Sequence, residues 1–249
     1  MKSRTYTLVS LLILVSTILA ACQPATKKIR VVMAATWPPF EMLDETTKKP
    51  VGFDVDLMTA VAQKENLQIE FVNVPLDSAL TGMAQCQYDV AVSAITITEE
   101  LKKSMLFSEP YFAAGQVVTV NINNADIKSK DDLTGKKVGA MLGTTGAIEA
   151  EKIPGVKYSA YDTIDQAFLD VMNGQIDAAI ADNPLAVGFV GKNPTKLKTV
   201  GPVFTDENYG IAVCNKQPEL LTKINQGLAA VKAEGGVDQL VKKWLVSSK

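Results

Sequence analysis

The chain contains no histidine. That removes the base of Ser-His and Cys-His catalysis, the side chain that titrates nearest neutral pH, and the commonest metal ligand. Cysteine is scarce: Cys22, Cys86 and Cys214 lie far apart, and no two form a C-x-x-C pair of the metal-binding or redox kind. Arginine is scarcer still, with only Arg4 and Arg30. Basic side chains do not outnumber acidic ones, 25 against 27, so the chain lacks the electrostatic footprint of a nucleic-acid binder. Gly143-Thr144-Thr145-Gly146 is not followed by the Lys-Ser or Lys-Thr of a phosphate loop, and no G-x-G-x-x-G occurs. No segment beyond the N-terminus is long and apolar enough to span a membrane.

The N-terminus itself is informative. Lys2 and Arg4 precede an apolar run from Leu8 to Leu19, about a dozen residues, which is too short for an ordinary spanning helix. Leu19-Ala20-Ala21-Cys22 closes the run with small residues before a cysteine, the pattern of a lipoprotein signal peptide. The expectation is a removed leader over 1–21, lipidation of Cys22 and a short polar tether over 22–28; an uncleaved anchor with a chance cysteine is the alternative. Loss of the leader leaves 228 residues with 23 basic and 27 acidic side chains, a net charge of −4. That length suits one large domain or two small ones.

Downstream, Ile29 to Ala34 is a β-branched run that predicts a first buried strand. Thr36-Trp37-Pro38-Pro39-Phe40 breaks it, and the two prolines predict a rigid loop outside any strand ladder. Lys48 to Gly52 reads as a second turn. Helical spacing follows over Phe53 to Glu65, with Asp54 and Asp56 favouring the positive end of the helix dipole. Gln68 to Val74 reads as a strand, Leu76 to Gln85 as a helix, and Tyr88 to Ala94 as a strand. This β-α-β-α-β order predicts a parallel α/β sheet. A second series of the same grammar has strands over 115–121, 135–141, 156–160 and 176–181, with a helix over 163–173 closed by Gly174. Tyr209 to Cys214 reads as a late strand, and 220–232 and 237–244 as amphipathic helices. Extended segments near 113–121 and 203–213 are placed to carry the chain out of one lobe and back. Two such crossings make a hinge, with a ligand cleft between the lobes.

The stretches PPFE (38–41), GFDVDL (52–57), YDVAVSAITIT (88–98), FSEPY (107–111), VGAMLGTTGA (138–147), NGQIDAAIADNP (173–184) and YGIAV (209–213) occur in this order. Together they resemble the family 3 bacterial solute-binding proteins, the amino-acid-binding subunits of ABC importers, across nearly the whole exported chain. The resemblance implies a two-lobed α/β fold of the type II periplasmic-binding kind. Lobe 1 would comprise 29–116 with 209–249, and lobe 2 would comprise 117–208. It also implies ligand contacts. Trp37 would cover the ligand, where the residue-level alternative is a Trp packing its loop onto the lobe. Ser93, Ala94 and Thr96 follow a buried strand with hydroxyls and backbone groups suited to a polar ligand; by resemblance the Ala94 carbonyl takes an ammonium and Thr96 a carboxylate. Thr98 is expected to cap the helix that begins at Glu99 and Glu100. Thr144, Thr145 and Gly146 match an anion contact of lobe 2. Asp182 matches the carboxylate for the ligand ammonium, against the alternative of an Asx turn with Asn183-Pro184.

One departure matters as much as the match. The family usually carries a carboxylate-clamping Arg three residues after Thr98, and here that position is Leu101. Leu cannot imitate the planar, two-pronged bond of a guanidinium, and Lys102 and Lys103 point elsewhere on a regular helix. Either the ligand lacks an α-carboxylate, or backbone N–H groups at the Thr96 and Thr144 turns hold it. Ala34 stands where some relatives carry an Asp for a basic or amide side chain. The resemblance also makes the strands before Cys214 and after Cys86 antiparallel neighbours, so these two thiols are disulfide candidates, with two separate buried thiols as the alternative.

The expected protein is thus a lipid-anchored monomer that binds an amino acid or amine, partners an ABC permease, and needs no cofactor or metal. Two rivals stay open. One is a sensory subunit that presents its ligand to a receptor. The other is an enzyme resembling cyclohexadienyl dehydratase, using a cleft acid such as Asp182, Glu41 or Asp54.

Overall fold

The computed structural model describes residues 28–246. The expected leader, the lipid acceptor Cys22 and the tether up to residue 27 lie outside the described residues.

The first lobe is built on a five-stranded sheet. Strands β1 (Ile29–Met33), β5 (Ile69–Asn73), β6 (Val90–Ala91), β7 (Met105–Phe107) and β15 (Ala212–Cys214) are arranged in the order β5-β1-β6-β15-β7. β1 is parallel to β5 and β6, as the βαβ grammar predicts, while β15 runs antiparallel to β6 and β7. Helices α1 (Phe53–Lys64) and α2 (Leu76–Ala84) are the crossovers. The second sheet has the order β11-β10-β12-β9-β13, from β9 (Gln116–Asn121), β10 (Lys137–Met141), β11 (Lys157–Tyr161), β12 (Ala178–Asp182) and β13 (Leu197–Val200). Its helices are α3 (Thr145–Glu151), α4 (Ile164–Met172) and α5 (Asn183–Lys192). The chain passes between the sheets along β8 (Phe112–Ala114) and returns along β14 (Glu207–Tyr209), which pair as an antiparallel ribbon. It finishes in α6 (Pro218–Ala233) and α7 (Gly236–Val241) against the first lobe, where α6 packs closely on α1.

Several local expectations are corrected. The prolines at 38 and 39 do not exclude a ladder around them: β2 (Thr36–Trp37) stops just before Pro38, and β3 (Glu41–Leu43) starts after Phe40 and pairs with it. β4 (Pro50–Val51), expected as a turn, joins β3 in this small sheet. The ladder avoids the missing proline donors because neither Pro38 nor Pro39 lies within a strand. The strand expected over Tyr88 to Ala94 is only Val90–Ala91, because the chain turns out of the sheet at Ala94, whose φ is 45°. The single strand expected over Tyr209 to Cys214 divides into β14 and β15. Tyr209 pairs in the ribbon and Ala212 in the first sheet, so the backbone changes sheets between them. The helix expected after Glu99 is a single 3-10 turn, Leu101–Lys103. Thr98 accepts a hydrogen bond from Leu101 N–H at 3.1 Å, in the manner of a cap.

The core under the first sheet and ribbon is aromatic. Phe40 meets Phe53, Phe112 and Tyr209 edge-on at centroid distances of 5.5, 5.1 and 5.3 Å. Gly52 makes this packing feasible. Its φ is 137°, and a Cβ there would lie 2.1 Å from the Phe40 carbonyl oxygen. Cys86 and Cys214 are joined in a disulfide with Cα atoms 5.1 Å apart, closing a separation of 128 residues.

Candidate functional site

The parallel strands of both sheets end at one place. β1 leads into Ala34, β6 into Ser93–Thr96, β10 into Met141–Thr145, and β12 ends at Asp182; all of these ends line one cavity. Crevices at the carboxyl ends of strands are where open α/β sheets bind ligands. About 480 Å³ of free space lies here, mouth included. Eight of the nine expected ligand residues line it: Trp37, Ser93, Ala94, Thr96 and Leu101 from the first lobe, and Thr144, Thr145 and Asp182 from the second. Gly146 lies behind the wall, where a Cβ would come within 2.8 Å of Gln116 Oε1 and 3.1 Å of the Ile180 carbonyl oxygen.

On the first-lobe side two acids are buried, Glu41 in the cavity wall and Asp54 behind it. Ser93 Oγ donates to Glu41 Oε1 at 2.8 Å and accepts from Ala34 N–H at 3.0 Å. Asp54 Oδ2 accepts from Ala94 N–H at 2.6 Å and from the Tyr111 hydroxyl at 2.9 Å. Glu41 Oε2 and Asp54 Oδ1 have no donor of their own. Burial, and then the charge of Asp54, hold Glu41 well above the usual carboxylate range. Burial pushes Asp54 up to about 7 against the hydrogen bonds from Ala94 and Tyr111. Both carboxyls are thus held towards their protonated forms, with burial as the main cause.

Asp182 is the second acidic centre. It is 3% exposed, and its carboxylate accepts from Gln116 Nε2 and the Tyr209 hydroxyl. Burial pushes it up to about 6, opposed by these two donors. Among the described residues, the buried indole nitrogen of Trp37 has no hydrogen-bond partner. Behind the cavity wall, Glu207 of β14 draws both lobes together. Its Oε2 accepts from Thr96 Oγ1 at 3.0 Å and Thr145 Oγ1 at 2.7 Å, while Oε1 accepts from Thr205 Oγ1 at 2.7 Å.

The rest of the wall is largely apolar, with Leu76, Leu80, Ile95, Leu101 and Met141, and Thr36 adds one further hydroxyl. Lys102 and Lys103 are exposed and pair outside it, with Glu99 and Glu100. Among the described lining residues there is neither Lys nor Arg. The cavity can therefore hold an aliphatic stem and a positive charge, with the acids supplying the counter-charge.

Sequence reasoning did not assign Leu76, Leu80, Gln116 or Glu207 to the site. The two leucines fall within the helix expected over Leu76 to Gln85, where nothing local marks a cavity contact. Gln116 and Glu207 reach the site only because the ribbon places β9 and β14 beside it. Glu41 had a signal in the PPFE loop but was considered only as a cleft acid.

Comparison with known proteins agrees with this geometry. The profile of the bacterial extracellular solute-binding proteins, family 3, matches residues 29–247. The ABC transporter arginine-binding protein 1 of Escherichia coli K12 is 32% identical over 225 residues, covering 88% of this chain and 91% of that protein. An ancestral arginine-binding protein bound to arginine superposes with a TM-score of 0.82 at 42% identity, covering 87% of this chain and 97% of that one. The arginine-, lysine-, histidine-binding protein ArtJ of Geobacillus stearothermophilus gives 0.83 at 35% identity, covering 90% and 97%. These relatives are named as binding proteins rather than enzymes.

Proposed function

Because the chain belongs to the family 3 bacterial extracellular solute-binding proteins, we propose that it captures a small cationic solute of amino-acid size and delivers it to an ABC permease. The observation that carries this reading is the make-up of the cavity wall: it includes the carboxyls of Asp182 and Glu41, and no lining residue among those described is cationic. An ammonium or guanidinium supplies the missing charge. Trp37, Leu76 and Leu80 cover its aliphatic part, with the indole face also able to meet a cation. Ser93, Ala94 and Thr96 line the ligand from the first lobe, and Thr144, Thr145 and Asp182 from the second. On this reading lobe 1 (29–116 with 209–249) and lobe 2 (117–208) close about the β8–β14 ribbon, and the monomer is anchored to the exported face of the membrane by lipid on Cys22.

A thermal-shift screen of the purified protein against the twenty amino acids and a set of alkyl amines and guanidines tests the ligand. A solute at 1,000 times its Kd adds about 4 kcal/mol to the folded state, a shift of several degrees. Hits confined to cations support the reading, and hits confined to acidic or neutral solutes overturn it. Anchoring is tested separately: Cys22→Ser should move the protein from the membrane fraction to the soluble one, and an unchanged distribution refutes lipidation.

A further inference from the structure

We infer that Glu207 is a positioning residue of the ligand site: from behind the cavity wall its carboxylate ties Thr96 of the first lobe to Thr145 of the second. It thereby sets how tightly a solute is held that it does not touch. The inference rests on the reading above only in that a solute occupies this cavity; the sign of the solute's charge does not enter it.

Glu207 is buried, lies outside the cavity wall, and has no Lys or Arg partner among the described residues. A buried carboxylate without a cation is costly unless donors surround it. The donors here are neutral side chains drawn from separate parts of the fold. Oε2 accepts from Thr96 Oγ1 at 3.0 Å, Thr145 Oγ1 at 2.7 Å and Gln116 Nε2 at 3.2 Å. Oε1 accepts from Thr205 Oγ1 at 2.7 Å. Thr96 follows the first-sheet strand β6, and Thr145 follows β10 of the second sheet. Side chains alternate along a strand, so Glu207 and Tyr209 share the buried face of β14. Tyr209 donates to Asp182, and Gln116 donates to both Asp182 and Thr145. The inward face of one short ribbon strand thus touches three lining residues: Thr96, Thr145 and Asp182.

Each threonine divides its donors. The hydroxyl hydrogen goes to Glu207, whereas the backbone N–H has no partner among the described residues. For Thr145 this follows from its place at the start of α3, where the first N–H groups lack intrahelical acceptors. The two threonines belong to opposite lobes, and the Glu207 carboxylate is bonded to both. A solute that meets both walls is held best when they are already in register, because their ordering then costs little at binding. Removing the carboxylate unties the two threonines and frees both hydroxyls to rotate. The loss should appear mainly in the dissociation rate.

Calorimetry and stopped-flow dissociation test this on wild type, Glu207→Ala, Glu207→Gln, Thr145→Val and the double variant Glu207→Ala/Thr145→Val. The probes are arginine, lysine and glutamine. Glu207→Ala should raise Kd roughly tenfold or more for each probe that wild type binds, by one common factor and through faster dissociation. Glu207→Gln, whose amide oxygen can still accept from both threonines, should recover all but about threefold of that loss. The double variant should bind little more weakly than Glu207→Ala alone, because both changes break the same bond. A lower melting temperature in Glu207→Ala with unchanged Kd and dissociation rate would assign Glu207 to stability alone and overturn the inference. A loss confined to arginine and lysine would mean that its charge acts on the solute directly, and it overturns the inference too. Either result leaves the cation reading standing, whereas binding of glutamine alone by wild type overturns that reading and still tests Glu207. Where Glu207→Ala does not fold, Thr145→Val decides: it keeps the N–H and removes one arm of the bridge, so unchanged dissociation counts against the inference. Silence of all three probes on wild type moves the decision to the free protein. Spin labels at the exposed Asp77 and Lys152, one in each lobe, should then report a broader distance distribution in Glu207→Ala than in wild type. Identical distributions overturn the inference.

Discussion

Among the described residues, Asp182 is the one acidic side chain that the second sheet contributes to the cavity wall, and it does so from the last position of β12. Its hydrogen bonds from Gln116 and Tyr209 fix the carboxylate without neutralising it. Asp182→Asn keeps the shape and removes the charge, so binding of a cationic solute should weaken by about 1.5–3 kcal/mol, roughly ten- to a hundredfold in Kd. Titration calorimetry of the variant checks this, and an unchanged Kd would remove Asp182 from the ligand contacts. The place of Asp182 was legible in the sequence, because an apolar run ending in one acid marks the end of a buried strand; its expected part in binding came from the family resemblance. Ser93 and Thr96 were legible as hydroxyls that follow a buried strand, whereas Thr145 was expected at the cavity only through the family resemblance. Glu207 and Gln116 were not, because their roles depend on partners 111 and 66 residues away. Nothing local distinguishes Glu207 from a solvated surface glutamate.

Elements with one dominant signal were the easiest to read. α1 combines helical spacing with early aspartates, and α4 ends beside Gly174, whose φ is 71°. The small β2-β3-β4 sheet was missed because its strands are two or three residues long, too short to show alternation. β13 and α5 also escaped notice, the latter behind an Asn-Pro that reads equally well as a turn. The Cys86–Cys214 bond ties β15 to the segment after α2. In the chain-entropy account, closing so long a loop stabilises the fold by about 3–5 kcal/mol. Gly52 gives a sharper test of element packing. It starts α1, holds a positive φ and abuts the Phe40 carbonyl, so any side chain there meets both backbone strain and a clash. Gly52→Ala should destabilise the protein by about 3 kcal/mol or more, the sum of a strained φ and an overpacked contact. Denaturant unfolding measures this, and a change under about 1 kcal/mol would show that the Phe40–Gly52 contact relaxes freely.

The two-lobed plan follows from the repeated strand-helix grammar and two extended crossings, but its electrostatic consequence appears only when the lobes are assembled. Asp182, the Glu41–Asp54 pair and Glu207 come from distant parts of the chain and gather beside Tyr111 and Tyr209, whose own ionisation is pushed further up by burial. The carboxyls of Asp182 and Asp54, at about 6 and about 7, bind protons in the folded state that the unfolded chain has already released above its ordinary carboxylate range. With more protons bound in the folded state, the stability of the free protein falls as pH rises from about 4 to about 7. A cationic ligand reverses that trend, because it binds the ionised form and its affinity rises over the upper part of the same window. Below about 6, the Kd should increase by roughly tenfold for each pH unit as Asp182 becomes protonated. The melting temperature of the free protein and the shift produced by arginine should therefore move in opposite directions between pH 5 and pH 8. Parallel melts with and without arginine test this, with Asp182→Asn as the variant in which the pH dependence of the shift should flatten. A ligand shift that stays constant across that range would mean that the charge on Asp182 does not contribute to recognition.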